Sequence, residues 1–302
     1  MRTLSSTTAA IVVVYRPDSG PAALATALQG HVALTVLADN SEAGHPALPS
    51  IADRDDLVKL HPRNQGGLAG AYNQALALIR LRYPNITHVV FLDEDSDAGV
   101  LPAFLADPDV ARLLDDTGSA AVSPAYVDRA TGLRGRYIEL ERFRLHYLPR
   151  VFAGLKRVAF VINSMSVWQL RALQRIGDFN QGLAIDHVDT EYCLRARQAG
   201  LSLHVHGGHE FEHSIGQRRR FMLFGREMQA GGHPPARRYL IGRNTAWLGR
   251  HYLWREPAFA FLCASRLAYE AVGIALAEDG RPAKLWALLK GAGVGLVTRR
   301  MQ

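Results

Sequence analysis

Three short apolar runs constrain this chain more than anything else in it: "AAIVVVY" (Ala9 to Tyr15), "VALTVLADN" (32–40) and "THVVFLDED" (87–95). Each has the length of a strand, and the apolar residues in each are continuous rather than alternating. A strand with one wet face alternates with period two, whereas a continuous run needs cover on both faces. The intervening segments can supply that cover. Pro21 suits the first turn of a helix over "PAALATALQ". In "LAGAYNQALALIRLRY", Leu68, Tyr72, Ala75, Ile79 and Tyr83 fall near one helical face. Strand, helix, strand, helix in this order predicts an α/β fold with a mainly parallel sheet and helices on both faces.

The middle of the chain is less regular. "RVAFVINSMSVW" reads as a strand leading into the helix "VWQLRALQRIG", and "LSLHVHGG" alternates like a strand. "DHVDTEYCLRARQAG" reads as a helix from Asp189 that stops at Gly200, with basic residues near its end. From Pro234 onward the pattern is helical. The expected organisation is therefore an α/β domain over 1–233 with a helical extension over 234–302 packed on it.

Two cysteines, Cys193 and Cys263, exclude a disulfide framework and a cysteine zinc site, and they suit a reducing, cytoplasmic setting. The start "MRTLSSTTAAIVVVYRP" lacks the cleavage site of a signal peptide. A net charge of +7 and a pI near 9.6 call for an anionic partner. There is no zinc-finger spacing, RNP-like aromatic motif or basic-region helix, so nucleic acid is not expected. The basic stretches "GQRRRF", "ARRYLIGRN" and "VTRR" suit phosphates on a nucleotide, a lipid head group or a membrane surface.

In sheets of this kind ligands collect at the carboxyl ends of the strands. There the chain places Arg16, then Asp39 and Asn40, then Asp93 and Asp95. Alternate residues on a strand share a face, so Asp93 and Asp95 can reach one hard cation, Mg²⁺ or Mn²⁺, through oxygen. The competing reading is a solvated acidic turn. A second cluster, Asp186, Asp189 and Glu191, lies at a helix start. Capping explains it electrostatically; a general base for an acceptor hydroxyl explains it chemically. His209 and His213 follow, and His213 would complete a metal site begun by the two aspartates.

The segments "IVVVYRP", "LADNS", "NQGGLAGAYNQAL", "FLDEDS", "GDFNQGLAIDHVDTEYCLRARQAG", "FEHSIG" and "RRYLIGRNTAWLGRHY" resemble, in order, the motifs of family-two GT-A glycosyltransferases. Within that family the resemblance is to bacterial rhamnosyltransferases that use dTDP-L-rhamnose, and it covers about residues 9 to 255. It implies a nucleotide-sugar fold, an inverting single displacement and a divalent cation. By resemblance, Arg16, Pro17, Asp39 and Asn40 lie on the donor side, Asp39 as the nucleoside-binding carboxylate. Asn64, Gly67 and Asn73 resemble the donor loop and helix. Asp93 and Asp95 match the metal pair, His213 a histidine that helps hold the metal, and Asp189 the catalytic base. Arg243 and Asn244 fall in a helix segment expected to meet diphosphate or acceptor. Glu94 stands where relatives often carry Gln or Asp, which leaves open which carboxylate binds.

The acceptors implied are a glycan or a lipid-linked sugar, in O-antigen polysaccharide or rhamnolipid synthesis. A UDP-sugar donor and a non-catalytic binding module are the alternatives. A nucleotidyltransferase would show a Gly-rich loop after the first strand, and "YRPDSGP" is not one. In the C-terminal segment, Arg266, Glu270, Glu278, Asp279, Lys284 and Lys290 interrupt the apolar run, so no bilayer-length span is expected. The choice there is between packed helices and an amphipathic patch on the inner membrane surface. That patch would be held by Trp286, Leu288, Leu289, Lys290, Arg299 and Arg300.

Overall fold

The computed structural model describes residues 3–15, 20–213, 219–223 and 226–301. The first half follows the alternation: β1 (Thr8–Val14), α1 (Pro21–Leu28), β2 (Leu34–Asp39), β3 (Leu57–Leu60), α2 (Gly67–Arg82), β4 (His88–Asp93), α3 (Leu101–Ala106), α4 (Pro108–Asp115) and β5 (Ser119–Asp128). Then come β6 (Ile138–Leu140), β7 (Leu145–Tyr147), β8 (Leu155–Val158), β9 (Val167–Gln169), α5 (Leu170–Ile176), α6 (Val188–Gln198) and β10 (Ser202–His213). The chain ends with β11 (Arg219–Leu223), β12 (Arg226–Ala230), α7 (Pro235–Tyr252), α8 (Pro257–Ala277) and α9 (Arg281–Val297).

Eight strands form one sheet in the order β3-β2-β1-β4-β9-β5-β10-β8. Pairing is parallel between β3 and β2, β2 and β1, β1 and β4, and β5 and β10. It is antiparallel where β9 joins β4 to β5 and where β8 edges β10. The mixed α/β reading with a mainly parallel sheet is borne out. β1 is buried along its whole length, which is why its sequence shows no alternation. Leu24, Leu28 and Phe104 pack with Val12, Val90 and Leu92 in the main core. On the other face of β4, Phe91 meets Tyr72 of α2, with ring centroids 4.6 Å apart.

Two expectations change. "RVAFVINSMSVW" is not one strand but β8 and β9, separated by an irregular stretch. Ser166 donates from both N and Oγ to the Asn163 carbonyl (2.9 and 2.8 Å), closing a turn where a strand would continue. The strand expected to end at Gly208 instead continues to His213, through a register shift against β5 between His206 and Glu210. Such a bulge inserts residues and re-aims those beyond it.

The chain forms two compact units. The first comprises Met1–Tyr137, Leu148–Ala184 and Val188–His213; the second comprises Ile138–Tyr147, Ile185–His187 and Ser214–Gln302. Within the second, α7 and α9 approach closely. A Cβ on Gly291 or Gly295 would collide with the carbonyls of Tyr239 or Arg243, and one on Gly242 with that of Leu288. Ile241, Ile274 and Leu288 form a small core there. Arg238 is fully buried and pairs with Glu270 and Glu278, and Lys284 reaches Glu278 at 2.9 Å.

The 21-residue helix α8 departs from the sequence expectation. It is long and apolar enough to cross a membrane by length and composition, and only 22% of its most apolar stretch is buried. Its charges, Arg266 and Glu270, lie one turn apart and 3.9 Å from each other, so they do not break the helix into short apolar pieces.

Candidate active site

The register of the parallel strands sets the site. Val14 of β1 lies opposite Asp39, and Val13 lies opposite Asp93, so the two aspartates flank the carboxyl end of β1. From β1 the chain moves outward to β2 and β3 on one side and returns as β4 on the other. That reversal is where sheets of this class open a ligand crevice. Arg16 and Pro17, expected on the donor side, lie outside the described residues.

Asp39 is buried, and its carboxylate organises the loop that follows. Oδ1 accepts from Ser41 N at 3.0 Å and Oδ2 from His45 N at 2.7 Å, with His61 Nδ1 at 3.4 Å. Burial alone would raise its pKa, but these donors more than reverse that and hold it below the ordinary carboxylate value. Asn40 accepts from Asn64 N at 3.0 Å and donates to Asn64 Oδ1 at 3.3 Å, which ties the end of β2 to the loop that leads into α2. That loop turns through positive φ at Asn64, Gly66 and Gly67. Gly67 is needed for a second reason, since a Cβ there would strike the Ala184 backbone.

Asn73 is a clamp. Its Nδ2 donates to Phe179 O at 2.9 Å and its Oδ1 accepts from Phe179 N at 2.8 Å, so one buried side chain satisfies both polar groups of a residue 106 positions away. The donor role implied by resemblance therefore has a structural competitor at this position.

At the end of β4 the acidic cluster separates. Glu94 points back to β1 and accepts from Tyr15 N at 2.9 Å. Asp93 is half-buried and Asp95 exposed. Burial raises the Asp93 carboxyl above its ordinary value; the charge of His213 opposes this, Asp95 adds to it, and the Ser164 hydroxyl opposes it. Asp93, Asp95 and His213 are thus within electrostatic reach of one another, and the bulge in β10 is what delivers His213. Two carboxylates and an imidazole match the donor chemistry of a divalent-cation site, and a cation would relieve the burial and repulsion that Asp93 suffers.

Among the described residues, the set whose ligand atoms all lie within 4.8 Å of one another is a different one: Asp107, His206 and His209. Asp107 Oδ2 sits 2.7 Å from His209 Nε2 and 3.6 Å from His206 Nε2. His206 Nδ1 accepts from Gly208 N at 3.1 Å, so its neutral ring carries hydrogen on Nε2, facing the carboxylate. Asp107 is hydrogen-bonded to His209, His206 lies just beyond hydrogen-bond distance, and the two histidines bracket the β10 bulge.

In the second acidic cluster, Glu191 and Asp186 each meet an arginine. Arg195 donates to both oxygens of buried Glu191 (2.8 and 3.0 Å), and Arg237 to both oxygens of Asp186 (3.1 and 3.2 Å). Asp189 sits half-buried in the first turn of α6, its Oδ1 taking Thr190 N–H at 2.7 Å. The approach to it is strained, with Ala184, Asp186 and His187 all at positive φ.

Asn244 is revised. It is fully buried and its amide donates to the carbonyls of Ile185 (2.9 Å) and Asp186 (3.2 Å), while Arg243 Nε donates to its Oδ1 at 3.0 Å. It holds the strained segment, a structural role that competes with the expected contact to diphosphate or acceptor.

In the sequence Tyr72 stands only as part of a helical apolar face. Its phenol lies within reach of both carboxylates of interest. Burial raises its pKa far above the ordinary value, the charges of Asp93 and Asp189 raise it further, and a hydrogen bond with Asn163 acts the other way. A phenol held neutral in this way keeps its proton and can donate a hydrogen bond but not accept a proton as a base. A tyrosine within an apolar helical pattern carries no separate sequence signal for that role.

Similar proteins among those already characterised are glycosyltransferases, the class that the motifs lead one to expect. No protein-family profile matches the chain. It is 24% identical over 253 residues to the dTDP-rhamnosyl transferase RfbF of Shigella flexneri, covering 82% of this chain and 81% of that protein. Similar solved structures include GalNAc-T7 with UDP, GalNAc and Mn²⁺ (10% identity, 78% of this chain and 48% of that one, TM-score 0.48). S. aureus TarS is another (14% identity, 96% of this chain and 54% of that one, TM-score 0.49). This chain spans about half the length of each of those two. The resemblance drawn from the motifs is borne out, as is the reading of the chain as a glycosyltransferase enzyme.

Proposed function

We propose that the protein is an inverting rhamnosyltransferase that moves L-rhamnose from dTDP-L-rhamnose to a hydroxyl of a glycan or lipid-linked acceptor, on the cytoplasmic side of the cell. The catalytic domain is assigned to 1–233 and the extension to 234–302. The observation that carries the reaction type is the placement of Asp39 and Asp93 at the strand ends that flank the carboxyl end of β1, with Asp189 in electrostatic range of the same buried Tyr72 that Asp93 acts on. The donor assignment leans on the similarity to RfbF.

In the displacement, the acceptor oxygen bonds to the anomeric carbon as the bond from that carbon to the diphosphate breaks, with the electron pair leaving on the nucleoside diphosphate. The acceptor proton passes to the Asp189 carboxylate, a general-base role of the kind that contributes about 10²–10⁴-fold. Asp93, Asp95 and His213 would hold Mg²⁺ or Mn²⁺, which when bound supplies charge stabilisation to a departing diphosphate. Asp39 keeps its loop ready at the nucleoside side.

Nucleoside diphosphate release, measured with dTDP-L-rhamnose, UDP-glucose and UDP-galactose in Mg²⁺ or Mn²⁺, tests the proposal. Preferential turnover of dTDP-L-rhamnose is expected. Preference for a UDP sugar would overturn the donor assignment, and binding without turnover of any donor would make the chain a binding module.

A further inference from the structure

The last two helices have an unusual distribution of side chains. α8 turns Leu267, Ala271 and Ile274 toward the small core it shares with α7 and α9. At helical spacing the opposite face carries Phe261, Ser265, Ala268, Val272 and Leu276, with no charged residue. Phe261 is 70% exposed and Leu276 50%. α9 repeats the arrangement. Leu288 faces the core, which removes it from the membrane-contacting set expected from the sequence. Trp286, Leu289, Leu296 and Val297 point outward, all more than half exposed.

Charge accompanies this apolar surface. Between 281 and 302 the chain carries Arg281, Lys284, Lys290, Arg299 and Arg300 and no acidic residue. Lys284 is tied to Glu278, and Lys290, Arg299 and Arg300 are exposed. A water-facing helix normally places its charges on the outward face. Here the outward faces are apolar, with a tryptophan and flanking basic residues. That pattern lies well in the boundary between acyl chains and anionic head groups, where indole sits at the interface and long basic side chains reach the phosphates. A protein partner would account for the apolar area but not for the one-signed charge beside it.

We infer that the outward faces of α8 and α9 dock on an anionic lipid surface. The docking is peripheral. α8 carries Arg266 and Glu270, the latter paired with buried Arg238 of α7, and Gly242, Gly291 and Gly295 hold α9 against α7. The inference does not depend on the identity of the sugar donor.

Flotation of the full-length protein with phosphatidylcholine vesicles, alone or mixed with phosphatidylglycerol, tests it. Co-flotation is expected only with the anionic vesicles, with release by high salt. Trp286→Ser with Leu289→Ser should lower the vesicle partition coefficient tenfold or more, by about that order for loss of interfacial apolar contact. Lys290→Gln with Arg299→Gln and Arg300→Gln should lower it about a hundredfold. An unchanged circular-dichroism spectrum and urea midpoint would verify that each variant is folded, and the charge variant leaves the helix packing untouched. Failure to float with anionic vesicles would overturn the inference. So would flotation unchanged in both variants, or release by detergent alone, which would make α8 a spanning helix. Lipid-independent self-association in sedimentation, lost in the Trp286→Ser, Leu289→Ser variant and without flotation, would assign the face to a second copy of this chain.

Discussion

Asn73→Ala separates two roles that resemblance and geometry assign to one residue. If Asn73 is a clamp, alanine leaves Phe179 N–H and C=O without the partners that now sit at 2.8 and 2.9 Å. A buried polar group orphaned in this way costs about 1–3 kcal/mol, and water entering the space left by the amide recovers part of that. Two such groups give an expected loss of about 2–4 kcal/mol. The aromatic stack that Phe179 makes with Tyr192 (centroids 3.8 Å apart, planes 16° apart) loosens with it. Urea denaturation of wild type and variant measures the loss, and calorimetric titration with dTDP and Mg²⁺ measures what remains of nucleotide binding in the folded protein. Stability should fall by that amount while nucleotide affinity changes less than about threefold, roughly 0.65 kcal/mol. A stability change below about 1 kcal/mol together with a tenfold loss of affinity would refute the clamp and return Asn73 to the donor site.

Asp189→Asn should lower the transfer rate by about 10²–10⁴-fold with donor KM nearly unchanged, since the carboxylate acts only as the hydroxyl proton leaves; an equal loss in donor affinity by calorimetry would make it a helix-start residue only. Asp93→Asn should abolish transfer yet leave the metal-free protein as stable or slightly more so, because it removes a carboxyl that burial and Asp95 disfavour; melting curves in EDTA check this. Tyr72→Phe keeps the packing with Phe91 and Phe179 but removes the phenol beside Asp93 and Asp189, so the rate and its pH profile should shift while the melting temperature moves little. His187 is buried, with burial first and Arg266 second pushing its pKa well below the ordinary value. Its contribution is therefore intact above about pH 6.5 and lost as pH falls below that, by up to about 1.4 kcal/mol per pH unit, because the unfolded chain takes up the proton first. His187→Asn, an acceptable side chain at φ 66, should flatten the fall in melting temperature between pH 7 and pH 5.

The parallel half of the sheet was legible because burial on both faces leaves continuous apolar runs at β1, β2 and β4, and because the helices between them are long enough to show their period. The aspartates at the ends of β2 and β4 were legible for the same reason, as polar residues that abruptly close an apolar run. β9 was not: three residues are too few to carry a period, and it pairs antiparallel between β4 and β5 on long-range contacts alone. The Gly207–Gly208 pair reads as the end of a strand, whereas here it lies in a bulge that β10 passes through on the way to His213. The partners of Asn73 and Asn244 lie 106 and 58 or 59 residues away, and nothing local to an asparagine marks it as a backbone clamp.

The grouping of Ile185–His187 with the C-terminal residues has a bearing on how such a protein can be altered by recombination. Asn244 bonds two carbonyls of this stretch and Thr245 Oγ1 meets His187 Nε2 at 2.8 Å, so the left-handed backbone just before Asp189 is anchored by α7. A hybrid joined at residue 233 would look clean in the linear sequence, but it would leave that stretch with foreign neighbours. Grafting the helices of one relative onto the sheet of another should therefore succeed only when 185–187 travels with them as part of the same inherited cassette.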